Sequence, residues 1–144
     1  MLYVDANVLI GVIESGSGKK CLVQVLLSPS RMIHPLHTCE ITFSEVLVAP
    51  LPDRDHELIA VYRELFSRAD LFRLWPVTTR ILELAAALRA QSSMRLPDGV
   101  HMATASIAGC RTILSHDKRL FIPPGIQRID PFTQPAESWI REAR

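Results

Sequence analysis

The sequence predicts an α/β fold in which helices cover both faces of a mostly parallel sheet. Short apolar runs, typical of buried strands, alternate along the chain with longer segments of helical periodicity. Near each end of the chain a strand-like run closes on an aspartate, Asp5 or Asp117. Ligands of open α/β sheets bind at the carboxyl ends of the strands, so the two aspartates suggest one shared site.

The first third of the chain predicts two strands and two helices. Leu2–Val4 is an apolar run that predicts a strand, and Ala6–Glu14 follows it with helical spacing. A Ser-Gly-Ser-Gly turn then introduces a second helix, Lys19–Leu27. Met32–His34 predicts a short strand that Pro35 ends.

The middle of the chain predicts three helices and one strand. Glu40–Val48 and Glu57–Phe66 have helical spacing and flank the proline-rich turn at 50–53. Leu71–Trp75 predicts a strand that the next proline halts. In Thr78–Ala90, apolar side chains recur at the i, i+3, i+4, i+7 spacing of a buried stripe, which predicts a helix.

The last third predicts one helix and two strands. Asp98–Ala108 is rich in alanine and predicts a helix. Thr112–Ser115 and Ile126–Ile129 predict strands separated by a Pro-Pro-Gly turn. Residues 135–144 form a polar C-terminal tail that can include a helix around Trp139.

Length and composition narrow the class of protein. The 144 residues are expected to form a single domain, 1–144. No apolar run approaches the roughly 20 residues of a membrane span. No signal peptide precedes the first strand, and the three cysteines form no CxxC pair. We therefore expect a cytoplasmic protein, outside the membrane, with buried thiols.

The charge balance limits how the chain can bind nucleic acid. Sixteen basic and fifteen acidic residues give a net charge of +1, which argues against a broad basic face. Contacts with nucleic acid would have to use local patches, each of which is also compatible with ordinary surface charge. The candidates are Lys19-Lys20, Arg31, Arg54 and Lys118-Arg119.

Four acidic residues are candidates for a site. Asp5, Asp98 and Asp117 precede helix-like runs, where a carboxylate can also act simply as a helix cap. Glu45 lies within an apolar run and needs a partner, which can be an arginine or a metal ion. Clustered carboxylates repel one another, so a fold tolerates them chiefly when a cation compensates. Oxygen ligands favour Mg²⁺ or Mn²⁺, as one ion or two.

Four segments of the chain resemble, in order and spacing, the signature segments of PIN-domain ribonucleases, and most closely those of VapC-type toxins of toxin–antitoxin modules. The resemblance extends from Met1 to about Ile129, and its most specific part is Leu-Pro-Asp-x-x-His-x-Ala-Thr-Ala. The segments are Tyr3–Ile10, Thr42–Leu47, Arg95–Ala105 and Leu114–Asp117.

The resemblance implies a PIN-like, three-layer α/β/α fold and a Mg²⁺- or Mn²⁺-dependent endoribonuclease. The implied partners are an RNA substrate, a cognate antitoxin and a second copy of the chain in a homodimer. The implied catalytic and metal-binding residues are Asp5, Glu45, Asp98 and Asp117. The implied supporting polar residues are Asn7 and Ser115.

Three positions depart from the family's pattern. Ser115 replaces a frequent Thr, and Gly99 replaces the usual Ala, which is expected to loosen the start of its helix. After Asp117 the usual aromatic residue is displaced by one position, to Phe121. The resemblance therefore does not predict the substrate contacts near Phe121, whereas all four expected metal ligands are present.

Other interpretations remain at this point. A phosphatase also uses an aspartate at a strand end, but it needs a second aspartate where Asn7 stands. A PIN-like module that only binds a partner is a third possibility. His37 and Cys39, with the nearby His34, favour zinc only weakly because no second ligand cluster is evident. His101 is interpreted as a packed, hydrogen-bonded residue, with proton transfer as the alternative.

Overall fold

The computed structural model describes residues 1–14, 34–135 and Trp139, and within them it contains one five-stranded sheet. All neighbouring strands pair in parallel, in the order β3-β2-β1-β4-β5. The strands are β1 Leu2–Val4, β2 Leu36–Cys39, β3 Phe72–Trp75, β4 Thr112–Leu114 and β5 Gln127–Ile129. The prediction of an α/β fold with a mostly parallel sheet is confirmed.

Five helices accompany the sheet in the described part of the chain, and the corresponding predictions are right to within two residues. They are α1 Ala6–Glu14, α2 Glu40–Leu47, α3 His56–Ser67, α4 Thr79–Ala90 and α5 Leu96–Ile107. Side chains cap two of them: Asp55 accepts from the backbone N–H of Leu58 in α3, and Thr78 accepts from that of Ile81 in α4.

Two apolar clusters lie on opposite faces of the sheet and make it the middle of three layers. Leu2 and Val4 of β1 pack with α1, α2 and α3, whereas Tyr3, between them, packs with α4 and α5. Both faces of the central strand are therefore buried, as expected for a parallel sheet. At the α4–α5 contact, a Cβ on Gly99 would lie 3.0 Å from the Arg89 side chain. Gly99 thus permits close packing of the two helices.

Strand β2, at Leu36–Cys39, was not predicted, and most of the strand predicted at Met32–His34 lies outside the described residues. His34 lies in a bend, Met32 and Ile33 lie outside the described residues, and the strand begins at Leu36. Pro35 therefore precedes the strand instead of ending it. Leu36, the first paired residue of β2, donates its backbone N–H to the carbonyl of Leu71. Pro35 has no N–H to donate, but it precedes the strand and therefore removes none of its hydrogen bonds.

Two predictions fall outside the described residues. The helix predicted at Lys19–Leu27 lies in an undescribed segment, and of the predicted helix around Trp139 only that residue is described, as buried and helical. None of the helices in the part of the chain that the structure covers is long and apolar enough to cross a membrane.

Strands β1 and β4 are neighbours, so the ends that carry Asp5 and Asp117 lie side by side. The backbone N–H of Asp5 donates to the carbonyl of Leu114 at 3.0 Å, and that of Ser115 donates to Ile129 at 3.0 Å. The adjacency inferred from the sequence is therefore correct, and it places the candidate site at the carboxyl edge of the sheet.

Candidate metal centre

Asp5 lies at the end of the central strand, where α1 begins. Its carboxylate is buried and its Oδ2 accepts hydrogen bonds from the side-chain amide of Asn7 and the hydroxyl of Ser115, both at 2.8 Å. Burial raises the pKa of Asp5, as does the charge of Glu45, although His101 and Ser115 act in the opposite direction. Asn7 and Ser115, named from the sequence as supporting residues, thus both orient this carboxylate.

The side chain of Glu45, on α2, approaches Asp5, and its hydrogen-bond partner is a histidine of α5. Nε2 of His101 hydrogen-bonds Oε2 of Glu45 at 2.7 Å and lies 3.9 Å from Oδ1 of Asp5. On the other side of the ring, Nδ1 hydrogen-bonds the buried hydroxyl of Tyr3 at 2.8 Å. Glu45 is therefore paired with an imidazole, and the arginine considered as an alternative partner is not found among the described residues.

The surroundings of His101 favour its protonated form. Burial by itself lowers the pKa of the imidazole, but the hydrogen bond to Glu45 and the charges of Asp5, Glu45 and Asp98 outweigh it. The net direction of the pKa is upward. The interpretation of His101 as a packed, hydrogen-bonded residue is confirmed, and the structure adds that it lies among the acidic groups.

The cluster fits a divalent cation by the chemistry of its donors. One ligand atom each from Asp5, Glu45 and His101 lies within 4.8 Å of the others, and among the described residues no other group of three such side chains does so. The two carboxylates suit Mg²⁺ or Mn²⁺, whereas a protonated His101 has no free nitrogen to bind a cation and instead holds Glu45. The sequence contained one signal for His101, its i, i+3 spacing from Asp98 on α5.

Asp98 and Asp117 lie outside this three-residue group but next to it. Asp98, in the first turn of α5, approaches His101 closely enough that its charge raises the pKa of the ring. Asp117 is linked to the cluster through Ser115, whose hydroxyl accepts from the backbone N–H of Asp117 at 3.2 Å and donates to Asp5. The structure thus brings Asp5 and Glu45 together around His101 and places the other two aspartates at the adjoining surface.

The helix-cap interpretation does not describe Asp98 or Asp117. Residue Arg95 occupies the N-cap position of α5, and no side chain caps that helix. Asp117 precedes a turn, not a helix, and accepts from the backbone N–H of Arg119 at 2.9 Å. The zinc interpretation gains no support either, because His37 instead accepts a hydrogen bond from Nε1 of Trp75 at 3.1 Å.

The chain matches the model of the PIN domain family over residues 2–123. No curated protein sequence matches it significantly. Several solved structures share its fold at low sequence identity.

A toxin–antitoxin complex from Klebsiella pneumoniae contains a chain that is 21% identical and has a TM-score of 0.67, over 88% of this chain and 96% of the other. FitAcB from Neisseria gonorrhoeae is 19% identical with a TM-score of 0.69, over 93% and 100%. VapC20 from Mycobacterium tuberculosis, described as a toxin that cleaves the sarcin–ricin loop, is 13% identical with a TM-score of 0.67, over 83% and 92%.

Proposed function

Because this chain belongs to the PIN domain family, we propose that it is a divalent-metal-dependent endoribonuclease and the toxin of a VapBC-like toxin–antitoxin module. The observation that carries the proposal is the partly buried cluster of Asp5, Glu45 and His101 at the carboxyl edge of the sheet. Two carboxylates and a histidine from three separate elements converge there, and such convergence is typical of a functional site.

Each polar residue has a distinct part in the proposal. Asp5 and Glu45 hold the cation, and Asp98 and Asp117 extend the acidic surface toward the substrate and complete the ligand set. Asn7 and Ser115 fix the orientation of Asp5 by their hydrogen bonds. A bound Mg²⁺ or Mn²⁺ supplies Lewis-acid stabilisation of a phosphodiester and lowers the pKa of an attacking water.

His101 is a positioning residue in this scheme. Its ring is fixed by Tyr3 on one side and holds Glu45 on the other, so the glutamate is oriented before any ligand arrives. His101 also lies 3.9 Å from Asp5, which reduces the repulsion between the two carboxylates.

RNA is the proposed substrate, and an antitoxin is the proposed protein partner. Support comes from the fold shared with toxins, one of which is described as cleaving the sarcin–ricin loop. With a net charge of +1, selection of RNA would depend on shape and on unpaired loops more than on overall attraction. A cytoplasmic location and a homodimer are part of the same proposal.

The direct test is cleavage of RNA by the purified chain, freed of any antitoxin. We expect phosphodiester cleavage with Mg²⁺ or Mn²⁺ and none with a chelator, and Asp5→Asn should be inactive. Asp70→Asn is the matched control, because Asp70 is an exposed aspartate paired with Arg68 away from the site. Cleavage that continues unchanged after exhaustive metal removal would contradict the proposal, and hydrolysis of a generic aryl phosphate without RNA cleavage would favour the phosphatase alternative.

A further inference from the structure

A pocket of about 670 Å³ opens beside the acidic cluster, between the segment that joins α4 to α5 and the loop that follows β4. Asp98 and Asp117 contribute to its wall, so it is continuous with the proposed site. Its volume lies in the range of about 300–1,000 Å³ that is typical of small-ligand sites, and it is too small for a double helix. The wall also includes Arg95, Arg119 and Phe121.

Phe121 presents an aromatic ring to this pocket. Its neighbour Leu120 packs against the apolar cluster that includes α4 and α5, whereas Phe121 remains 38% exposed. Leu120 also borders the pocket, but the one-residue displacement leaves the aromatic side chain as the more exposed of the two. An exposed aromatic ring beside basic side chains is a combination on which unpaired bases stack.

Two arginines supply positive charge at the same pocket. Nε of Arg95 lies 3.5 Å from Asp98, and Nε of Arg119 lies 3.6 Å from Asp117. The arginine side chains are 78% and 91% exposed, so these ion pairs are weak and a phosphate group can compete for the guanidinium groups.

We propose that this pocket binds one unstacked nucleotide of single-stranded RNA, with its base on Phe121 and its flanking phosphates at Arg119 and Arg95. The proposal rests on the proposed function, because the pocket shares Asp98 and Asp117 with the candidate metal centre. It makes Phe121 a determinant of substrate choice: a nucleotide held in a duplex cannot reach the ring, so paired RNA is excluded.

The test uses the full chain in chelator, so that binding is measured without cleavage. The probe is a short single-stranded oligoribonucleotide that carries 2-aminopurine at each position in turn, since the fluorescence of this base changes when it leaves its neighbouring bases. We expect a fluorescence change on binding at one position. Phe121→Leu should abolish this change and weaken binding roughly 5- to 100-fold, and Phe121→Trp should retain the binding and a change at the same position.

Two controls separate this site from general effects. Arg119→Gln should weaken binding of all single-stranded probes alike, whereas Arg63→Gln, a change of an exposed arginine on α3, should not. Val61→Ala removes an exposed apolar side chain from the opposite face of the sheet and should bind as the parent does. Thermal unfolding of each variant establishes that it is folded.

The outcomes for this pocket and for the proposed function are distinguishable. Metal-dependent cleavage combined with equal fluorescence changes in the parent and Phe121→Leu, or with no change at any labelled position, overturns the nucleotide pocket and leaves the nuclease. A fluorescence change that depends on Phe121 in a protein that cleaves no RNA with either metal supports the pocket and contradicts the nuclease. Equal binding of duplex and single-stranded probes also overturns the pocket.

Discussion

Nε2 of His101 lies 2.7 Å from Oε2 of Glu45, across 56 residues of sequence. The same imidazole hydrogen-bonds the hydroxyl of Tyr3 through Nδ1. Three elements, β1, α2 and α5, therefore meet at a single buried ring. Because the acidic site and the core share this ring, its hydrogen bonds contribute both to stability and to the position of Glu45.

The first prediction is that Tyr3 and His101 are energetically coupled. Tyr3→Phe leaves Nδ1 of His101 without its partner and should lower the free energy of unfolding by about 1–3 kcal/mol. In a His101→Leu background the same change should cost much less, because the hydroxyl has already lost its hydrogen-bond partner. Urea unfolding of the four proteins in chelator measures the coupling.

Tyr62 provides the control for this cycle. Its hydroxyl donates to Glu14 at 2.7 Å, remote from His101, so Tyr62→Phe should have the same effect in both backgrounds. Additive effects of the Tyr3 and His101 changes would show that the hydrogen bond does not contribute to stability.

Much of the fold was predictable because each helix carries its own apolar stripe. The helix at Thr79–Ala90 has an N-terminal threonine and a regular stripe, and the prediction differs from the structure by one residue. Strand β2 was not predicted because His37 and Thr38 obscure its apolar character. Their partners, Trp75 and the carbonyl of Val4, lie on the adjacent strands and cannot be read locally.

The site was predictable only in part. Asp5 is recognisable from its place at a strand end, and this signal is local. The pairing of Glu45 with His101 depends on the packing of α2 and α5 against β2, which spacing along the chain does not reveal. For the same reason, spacing along the chain does not reveal that Leu120 packs against the core while Phe121 stays exposed at the pocket.

The second prediction concerns Ser115, which donates to Asp5 at 2.8 Å. Ser115→Ala removes a hydrogen bond that lowers the pKa of Asp5, so the carboxylate becomes harder to ionise and a worse metal ligand. We expect Mg²⁺ or Mn²⁺ affinity to fall roughly 10-fold or more. The metal dependence of the melting temperature measures it. Ser106→Ala, an exposed serine at the end of α5, should leave the affinity unchanged.

The third prediction is a loss of stability in acid caused by His37. Burial lowers the pKa of His37 to about 4, and the charge of Arg73 acts in the same direction. The ordinary pKa of histidine is 6.5, so between these values the unfolded chain binds a proton that the folded chain does not. Stability is therefore retained above about pH 6.5 and falls as the pH drops toward 4, by about 3 kcal/mol.

Replacement of His37 isolates this contribution from other titrating groups. His37→Gln keeps an acceptor for Nε1 of Trp75 but cannot take up the proton. Its stability should depend less on pH than that of the parent between pH 7 and pH 4.5, whereas His56→Gln, at the exposed start of α3, should follow the parent. Parallel pH profiles of His37→Gln and the parent would refute the assignment.

The last prediction tests whether Asp98 is a metal ligand. Asp98→Asn preserves size and removes a charge that interacts favourably with the start of α5 but unfavourably with neighbouring carboxylates. The metal-free variant should therefore stay within about 1 kcal/mol of the parent. RNA cleavage should be abolished. Added Mg²⁺ should raise the melting temperature of the parent more than that of the variant, because a ligand that binds only the folded state stabilises it by mass action.

Asp70→Asn is again the matched control, since it removes an exposed aspartate from a loop outside the site and should respond to Mg²⁺ as the parent does. Thermal unfolding of the three proteins, with chelator and with Mg²⁺, is read alongside cleavage. If Asp98 serves only the helix terminus, Asp98→Asn should keep its activity, because asparagine is tolerated at a helix N-terminus as well as aspartate. An active Asp98→Asn variant with an unchanged Mg²⁺ shift would thus remove Asp98 from the metal centre and reduce the acidic set to Asp5, Glu45 and Asp117.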